Sequence, residues 1–255
     1  MRVPPDRDDD DSPHPLRLPR EEHYRAKLAH RARGVQDLEQ RVGDVTAEID
    51  ARLARQDVVR VLELGCGYGT ALLELRARYG RRIELHGVNR EHGDGNLTIL
   101  QRNAAERGLD GGDAPWPAIA YADVAQGLPF ADDRFDLIVS QVAWLYFGNK
   151  IGVIREAMRV LRDDGLAKID ADEVRAGLPA EYARLVEIWQ DGVLVPFGEY
   201  LRRFGMALAD APEGHYLQFG KSIAFGRDLV PVAQIDLSAL HEHWDGVKCV
   251  YRGLG

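Results

Sequence analysis

Three glycines two residues apart, Gly65, Gly67 and Gly69, close the stretch VLELGCGYGT (61–70) behind a short apolar run. Without a Cβ, a glycine backbone can approach a ligand closely and take left-handed conformations at little cost. Between a strand and a helix, this pattern reads as a nucleotide site. Its flanks discriminate among nucleotides. The dinucleotide fingerprint wants a third glycine where Thr70 stands, and a pyrophosphate on the loop would lie near Glu63. Like charges at about 4 Å oppose each other by roughly a few kcal/mol in partly buried surroundings. A cationic ligand meets no such opposition.

Other polar residues cluster downstream. In HGVNRE (86–91), the Asn89 side-chain oxygen can accept a proton from a sugar hydroxyl, without the charge that would strengthen the bond about twofold. Asn89 with Arg90 is also what a reader of a 2′-phosphate would use, so an NADP-dependent oxidoreductase is the alternative reading. The run DADE (170–173) brings Asp170, Asp172 and Glu173 together, for a cationic acceptor, a divalent ion or a solvated loop. His23, Tyr24 and His30 fall on an N-terminal helix, and His241 and His243 stand near Trp244. The sequence places no third ligand beside HEH, so no metal is assigned. Cys66 and Cys249 lack metal-ligand spacing and are read as free thiols.

The elements that must position these residues follow from periodicity. VVRVLEL (58–64), RIELHGV (82–88), AIAYADV (118–124), FDLIVSQ (135–141) and GLAKIDA (165–171) read as strands. TALLELRARY (70–79), NLTILQRNAAERG (96–108) and KIGVIREAMRVLR (150–162) read as helices between them. Alternation of this kind predicts a doubly wound α/β sheet with right-handed crossovers. Apolar steps from Leu28 to Leu53 predict two N-terminal helices, broken near Gly34 or Gly43. Residues 178–210 read as mostly helical and 215–226 as an antiparallel pair. The expected organisation is a disordered tail (1–19), N-terminal helices (20–57), a cofactor-binding core (58–172) and a cap with C-terminal strands (173–255). A net charge of −8 disfavours a nucleic-acid partner, and no apolar run is long enough to span a bilayer. A cytoplasmic location is expected.

Four motifs in order resemble the class I S-adenosylmethionine-dependent methyltransferases: ELGCGYG (63–69), HGVNRE (86–91), YADVAQGLPFADDRFDLIVSQ (121–141) and REAMRVLRDDGLAKI (155–169). The resemblance implies a mostly parallel Rossmann-like sheet with an antiparallel edge strand, a helical N-terminal cover and a helical cap. It implies S-adenosylmethionine as cofactor. Gly65 and Gly67 would pass beneath its methionine part, with Cys66 packing between them in the cofactor-binding loop and Glu63 orienting the amino end. Asn89 and Arg90 would meet the ribose, Asp123 and Val124 the adenine, and Ser140 and Gln141 the methyl side. Asn89 departs from the family pattern, which has an acidic residue there. Asp136 is read as a strand-edge residue. The segment after the fourth strand faces the reacting methyl in that family. There Trp144 and Tyr146, two apart, would share a face of an extended segment and attract a sulfonium by cation–π interaction. Transfer to an O or N atom of a small molecule or peptide, by in-line displacement without a metal, is the expected function. The further alternative is an inactive methyltransferase-like interaction subunit.

Overall fold

A computed structural model of the chain describes residues 33–109, 111–124, 126–144, 147, 150–170, 186–190, 193–196, 209–221, 240–244 and 249–253. The tail, His23, Tyr24, His30, Tyr146, Asp172 and Glu173 lie outside them.

Two short helices lead into the sheet. α1 (Val35–Val42) begins at Gly34, whose N–H donates to Asp37 Oδ2 at 2.9 Å. α2 (Val45–Leu53) is capped by Asp44, which accepts from Ala47 N at 2.7 Å. The break between them is at Gly43, one of the two positions that the periodicity offers, while Gly34 caps the first helix. β1 (Val59–Leu64), β2 (Ile83–Asn89), β3 (Ala118–Tyr121), β4 (Phe135–Ser140) and β5 (Leu161–Asp170) alternate with α3 (Thr70–Tyr79), α4 (Leu97–Arg107) and α5 (Lys150–Val160). β6 (Val186–Gln190), β7 (Val193–Pro196), β8 (Ala209–Ala211), β9 (Gly214–Gly220), β10 (Leu240–Trp244) and β11 (Cys249–Gly253) complete the described elements.

The first sheet runs β3-β2-β1-β4-β5-β9-β8, parallel from β3 to β5, with β9 and β8 antiparallel at one edge. Strand order reverses at β1, which pairs with β2 on one side and β4 on the other. Ligands of such sheets sit at that switch point, beyond the carboxyl ends of the strands. Both faces are covered. Leu62, Leu64, Ile138 and Trp144 pack with α5, while Val59, Val61, Leu137 and Val139 pack with α1, α2 and α3. Burial on both faces is why these strands read as continuous apolar runs rather than alternating ones.

β6, β7, β10 and β11 form a second sheet in the order β10-β11-β6-β7. Two of its strands lie within the stretch expected to be mostly helical. VEIWQ and VLVP are rich in β-branched and aromatic residues; β7 pairs with β6, and β6 with β11, a partner that short-range periodicity does not reveal. His241 and His243 sit on β10.

Candidate functional site

At the carboxyl ends of β1, β2 and β4 lies a cavity of about 650 Å³. The glycine loop forms one wall. Gly65, Gly67 and Gly69 all have left-handed φ, of 70°, 53° and 66°. Gly65 N and Cys66 N donate to Val88 O at 2.8 and 3.2 Å, and Gly69 N donates to Cys66 O at 2.9 Å, so the turn is bound to the end of β2. A Cβ on Gly67 would meet nothing within 4 Å, because that residue faces the open cavity. On Gly65 it would lie 2.5 Å from the Ala143 Cβ. Gly65 therefore lets the loop after β4 close against the loop after β1. Tyr68, fully buried, anchors the turn between helices, and Asn103 donates to its carbonyl at 3.1 Å.

Asn89 is 3 % exposed and entirely engaged. Its Oδ1 accepts from Gly67 N at 2.8 Å and from the Cys66 thiol at 3.5 Å. Its Nδ2 donates to Gly67 O at 3.0 Å and to Gly95 O at 3.2 Å. An amide is the side chain that can clamp both the N–H and the C=O of one residue, since one side of it accepts and the other donates. This corrects the sequence expectation: Asn89 lines the cavity, but its oxygen serves the loop rather than a ribose hydroxyl. A carboxylate could not donate to the two carbonyls. Beyond β2, Glu91 and Asp94 line the cavity and were not singled out in the sequence.

Glu63 is the least ordinary group of the site. It is 2 % exposed, its Oε1 accepts from Gln141 Nε2 at 3.1 Å, and Oε2 has no hydrogen-bond partner among the described residues. Gln141 Oε1 is in the same position. Burial pushes the Glu63 carboxyl up to about 7, against the lowering effect of the Gln141 bond. Burial, aided by the charge of Glu63, also pushes the Cys66 thiol well above its usual range, which disfavours the thiolate.

Of the residues expected to bind a cofactor, Glu63, Gly65, Cys66, Gly67, Asn89, Arg90, Asp123, Val124 and Gln141 line this cavity. Ser140 does not: its hydroxyl donates to Leu64 O at 3.0 Å and ties the end of β4 to the end of β1. Trp144 is corrected too. It is 1 % exposed in the core among Leu62, Ile138 and Val153, and Phe147, edge-on to it at 6.4 Å, lines the cavity instead. Phe147 N donates to Trp144 O at 3.2 Å, and Tyr146 lies outside the described residues. Asp123 is exposed, accepts from Gln126 Nε2 at 3.0 Å and turns the chain after β3. Asp136 lies at the opposite end of the sheet, accepting from Arg60 N at 2.7 Å, as expected of a strand-edge residue. Asp170 accepts from Val142 N at 2.9 Å. No group of three His, Cys, Asp or Glu suited to a metal occurs among the described residues. No helix among them is long and apolar enough to cross a membrane.

Residues 61–165 match the sequence family described as a methyltransferase domain. They form a class I S-adenosylmethionine-dependent methyltransferase domain. A glycine/sarcosine/dimethylglycine N-methyltransferase from Actinopolyspora halophila is 28% identical over 106 residues, 42% of this chain and 17% of its own length. A malonyl-(acyl-carrier protein) O-methyltransferase from Halorhodospira halophila is 35% identical over 109 residues, 42% of this chain and 32% of its own. The chain thus spans about a third or less of these two relatives. The fold of a SAM dependent methyltransferase from Aquifex aeolicus matches with a TM-score of 0.50 at 14% identity, over 76% of this chain and 97% of that one. The methyltransferase domain accounts for the sheet order, for the glycine loop at the switch point and for a cofactor cavity whose buried acid would oppose a pyrophosphate. The NADP alternative is not favoured.

Proposed function

We propose that the chain transfers a methyl group from S-adenosylmethionine to an O or N atom of a small molecule or peptide. The observation that carries this reading is the buried Glu63 carboxylate, with an orphaned oxygen in the cavity beside a glycine loop. A buried carboxylate oxygen left without a partner is costly unless a cation arrives. S-adenosylmethionine brings an ammonium and a sulfonium, so Glu63 and the free oxygen of Gln141 fit its amino end.

The other residues divide along the cavity. Gly67 leaves room where any side chain would intrude, and Arg33, which lines the same space, supplies the cation an α-carboxylate needs. Glu91 and Asp94 are the carboxylates suited to a ribose diol, the role freed by Asn89, while Asp123 and Val124 serve the adenine. The sulfonium supplies the electrophilic methyl group. The chain's task is to hold the acceptor in line and exclude water, which needs no elaborate acid or base. Val142, Ala143 and Phe147 give an apolar wall for that purpose. We assign the cap over the acceptor to residues beyond Asp170. The reading places the protein in the cytoplasm, where thiols such as Cys66 stay reduced.

Isothermal titration with S-adenosylmethionine, S-adenosylhomocysteine and NADPH tests the proposal. Binding of both adenosyl ligands and not of NADPH is expected. No heat with S-adenosylhomocysteine, or saturable binding of NADPH, would overturn it. Binding without turnover on any amine or carboxylate acceptor would favour the inactive-subunit alternative.

A further inference from the structure

Val142 is a β-branched residue with φ of 59°, in the left-handed region that such side chains avoid. It lies in the cavity wall, between Gln141, which holds Glu63, and Ala143, which packs on Gly65. An outlier of this kind persists only where its surroundings over-determine it. The determinant is visible. The carboxylate of Asp170, 2 % exposed at the end of β5, accepts from Val142 N at 2.9 Å. The same oxygen lies 3.9 Å from Arg41 Nη1, while Arg41 Nη2 is 3.0 Å from Glu213. The acid is thereby held from behind by helix α1, itself packed on the β8–β9 edge through Glu213 N donating to Gln40 O.

We propose that Asp170 is a positioning residue for the cofactor: it clamps Val142 in its left-handed conformation and so presents Gln141 and Ala143 to the ligand. In the sequence the same acid looked like a candidate for a metal or a cationic acceptor, but its charge is turned on a backbone N–H and a guanidinium. The geometry also gives helix α1 a part in the cofactor site, through Arg41 and Asp170 rather than by contact. This inference rests on the methyltransferase reading.

The test uses the intact chain and its Asp170→Ala, Asp170→Asn, Val142→Gly and Val142→Gly/Asp170→Ala variants. Left-handed geometry is disfavoured for valine by about fivefold to a hundredfold, so Asp170→Ala should weaken S-adenosylhomocysteine binding within that range. Asp170→Asn keeps an acceptor for Val142 N and should retain most of the affinity. Val142→Gly adopts the conformation unaided, and should restore binding to the Asp170→Ala background. A merely structural role for Asp170 predicts no such rescue. Unchanged affinity in Asp170→Ala, or failure of Val142→Gly to rescue it, would overturn the proposal. If Asp170→Ala does not fold, amide hydrogen exchange at Val142 in the apo protein decides, with protection expected in the wild type and in Asp170→Asn. Rapid exchange there in the wild type sinks the clamp. A wild type that binds no S-adenosylhomocysteine would overturn the methyltransferase reading, and the exchange measurement would still test the clamp.

Discussion

Replacing Asn89 by Asp sets two effects against each other, and their sizes decide the sign. An added carboxylate near a ribose would give a charge-assisted acceptor, worth about 1 kcal/mol over a neutral one. Against it stands the loss of both Nδ2 bonds, to Gly67 O at 3.0 Å and Gly95 O at 3.2 Å. The aspartate oxygen would face two carbonyl oxygens in a buried site, at about 1–3 kcal/mol for each group left unsatisfied. A net loss of about 1–5 kcal/mol follows, up to roughly a few thousandfold in affinity if the liganded loop bears all of it. The amide cannot be flipped to escape the argument, because Gly67 N needs an acceptor and the two carbonyls need donors. Calorimetry with S-adenosylhomocysteine at pH 7.5 reads the binding, and thermal unfolding of the apo protein reads the share taken by the fold. The defect should shrink in acid, where a protonated aspartic acid regains one donor. Tighter binding by Asn89→Asp, with an unchanged melting temperature, would refute the clamp and return Asn89 to the ribose.

Other perturbations bear on the same site. The Glu63 carboxyl is raised by burial from 4.5 to about 7. The folded state therefore holds this proton more tightly than the unfolded chain, and apo stability should fall as pH rises from about 4.5 to about 7, then level off. Because a cationic ligand favours the ionised form, cofactor binding should release a proton below about pH 7 and strengthen up to that point. Titrations in buffers of different ionisation enthalpy will show this, and Glu63→Gln should abolish the dependence while stabilising the apo protein above pH 7. In Gly95→Ala, the new Cβ would lie 1.9 Å from Gly67 O at a φ of 155°, so the loop must shift. A loss of about 1–3 kcal/mol in thermal unfolding, with weakened S-adenosylhomocysteine binding, is expected. Turnover should survive EDTA. Loss restored by magnesium would bring Asp172 and Glu173 into the site.

The sequence by itself determined the core of the sheet. The helix TALLELRARY spans Thr70–Tyr79 as read, and NLTILQRNAAERG is a helix with Asn96 as its cap, its side-chain oxygen accepting from Ile99 N. These elements were legible because strand and helix periods, glycine turns and capping residues are local properties. The cavity position was legible too, since a glycine loop after the first strand must lie at the switch point of a doubly wound sheet. Which side chains face the ligand was decided by tertiary structure. Asn89 carries the right chemistry for a hydroxyl, but Gly67 and Gly95, distant in sequence from each other, converge on its amide and use it up. Trp144 was placed by alternation on the cavity side, but tertiary packing holds it in the core while Phe147 reaches the cavity. Asp170 lies 28 residues from Val142, and nothing local joins an acid ending one strand to a strained valine following another. The strand VEIWQ was hidden for the same reason: a strand is stabilised by its neighbour across the sheet, and β11 lies some 60 residues away from β6 in the chain. Local pattern fixes where the chain turns and what it turns with, while the partners of each polar atom depend on contacts that only folding creates.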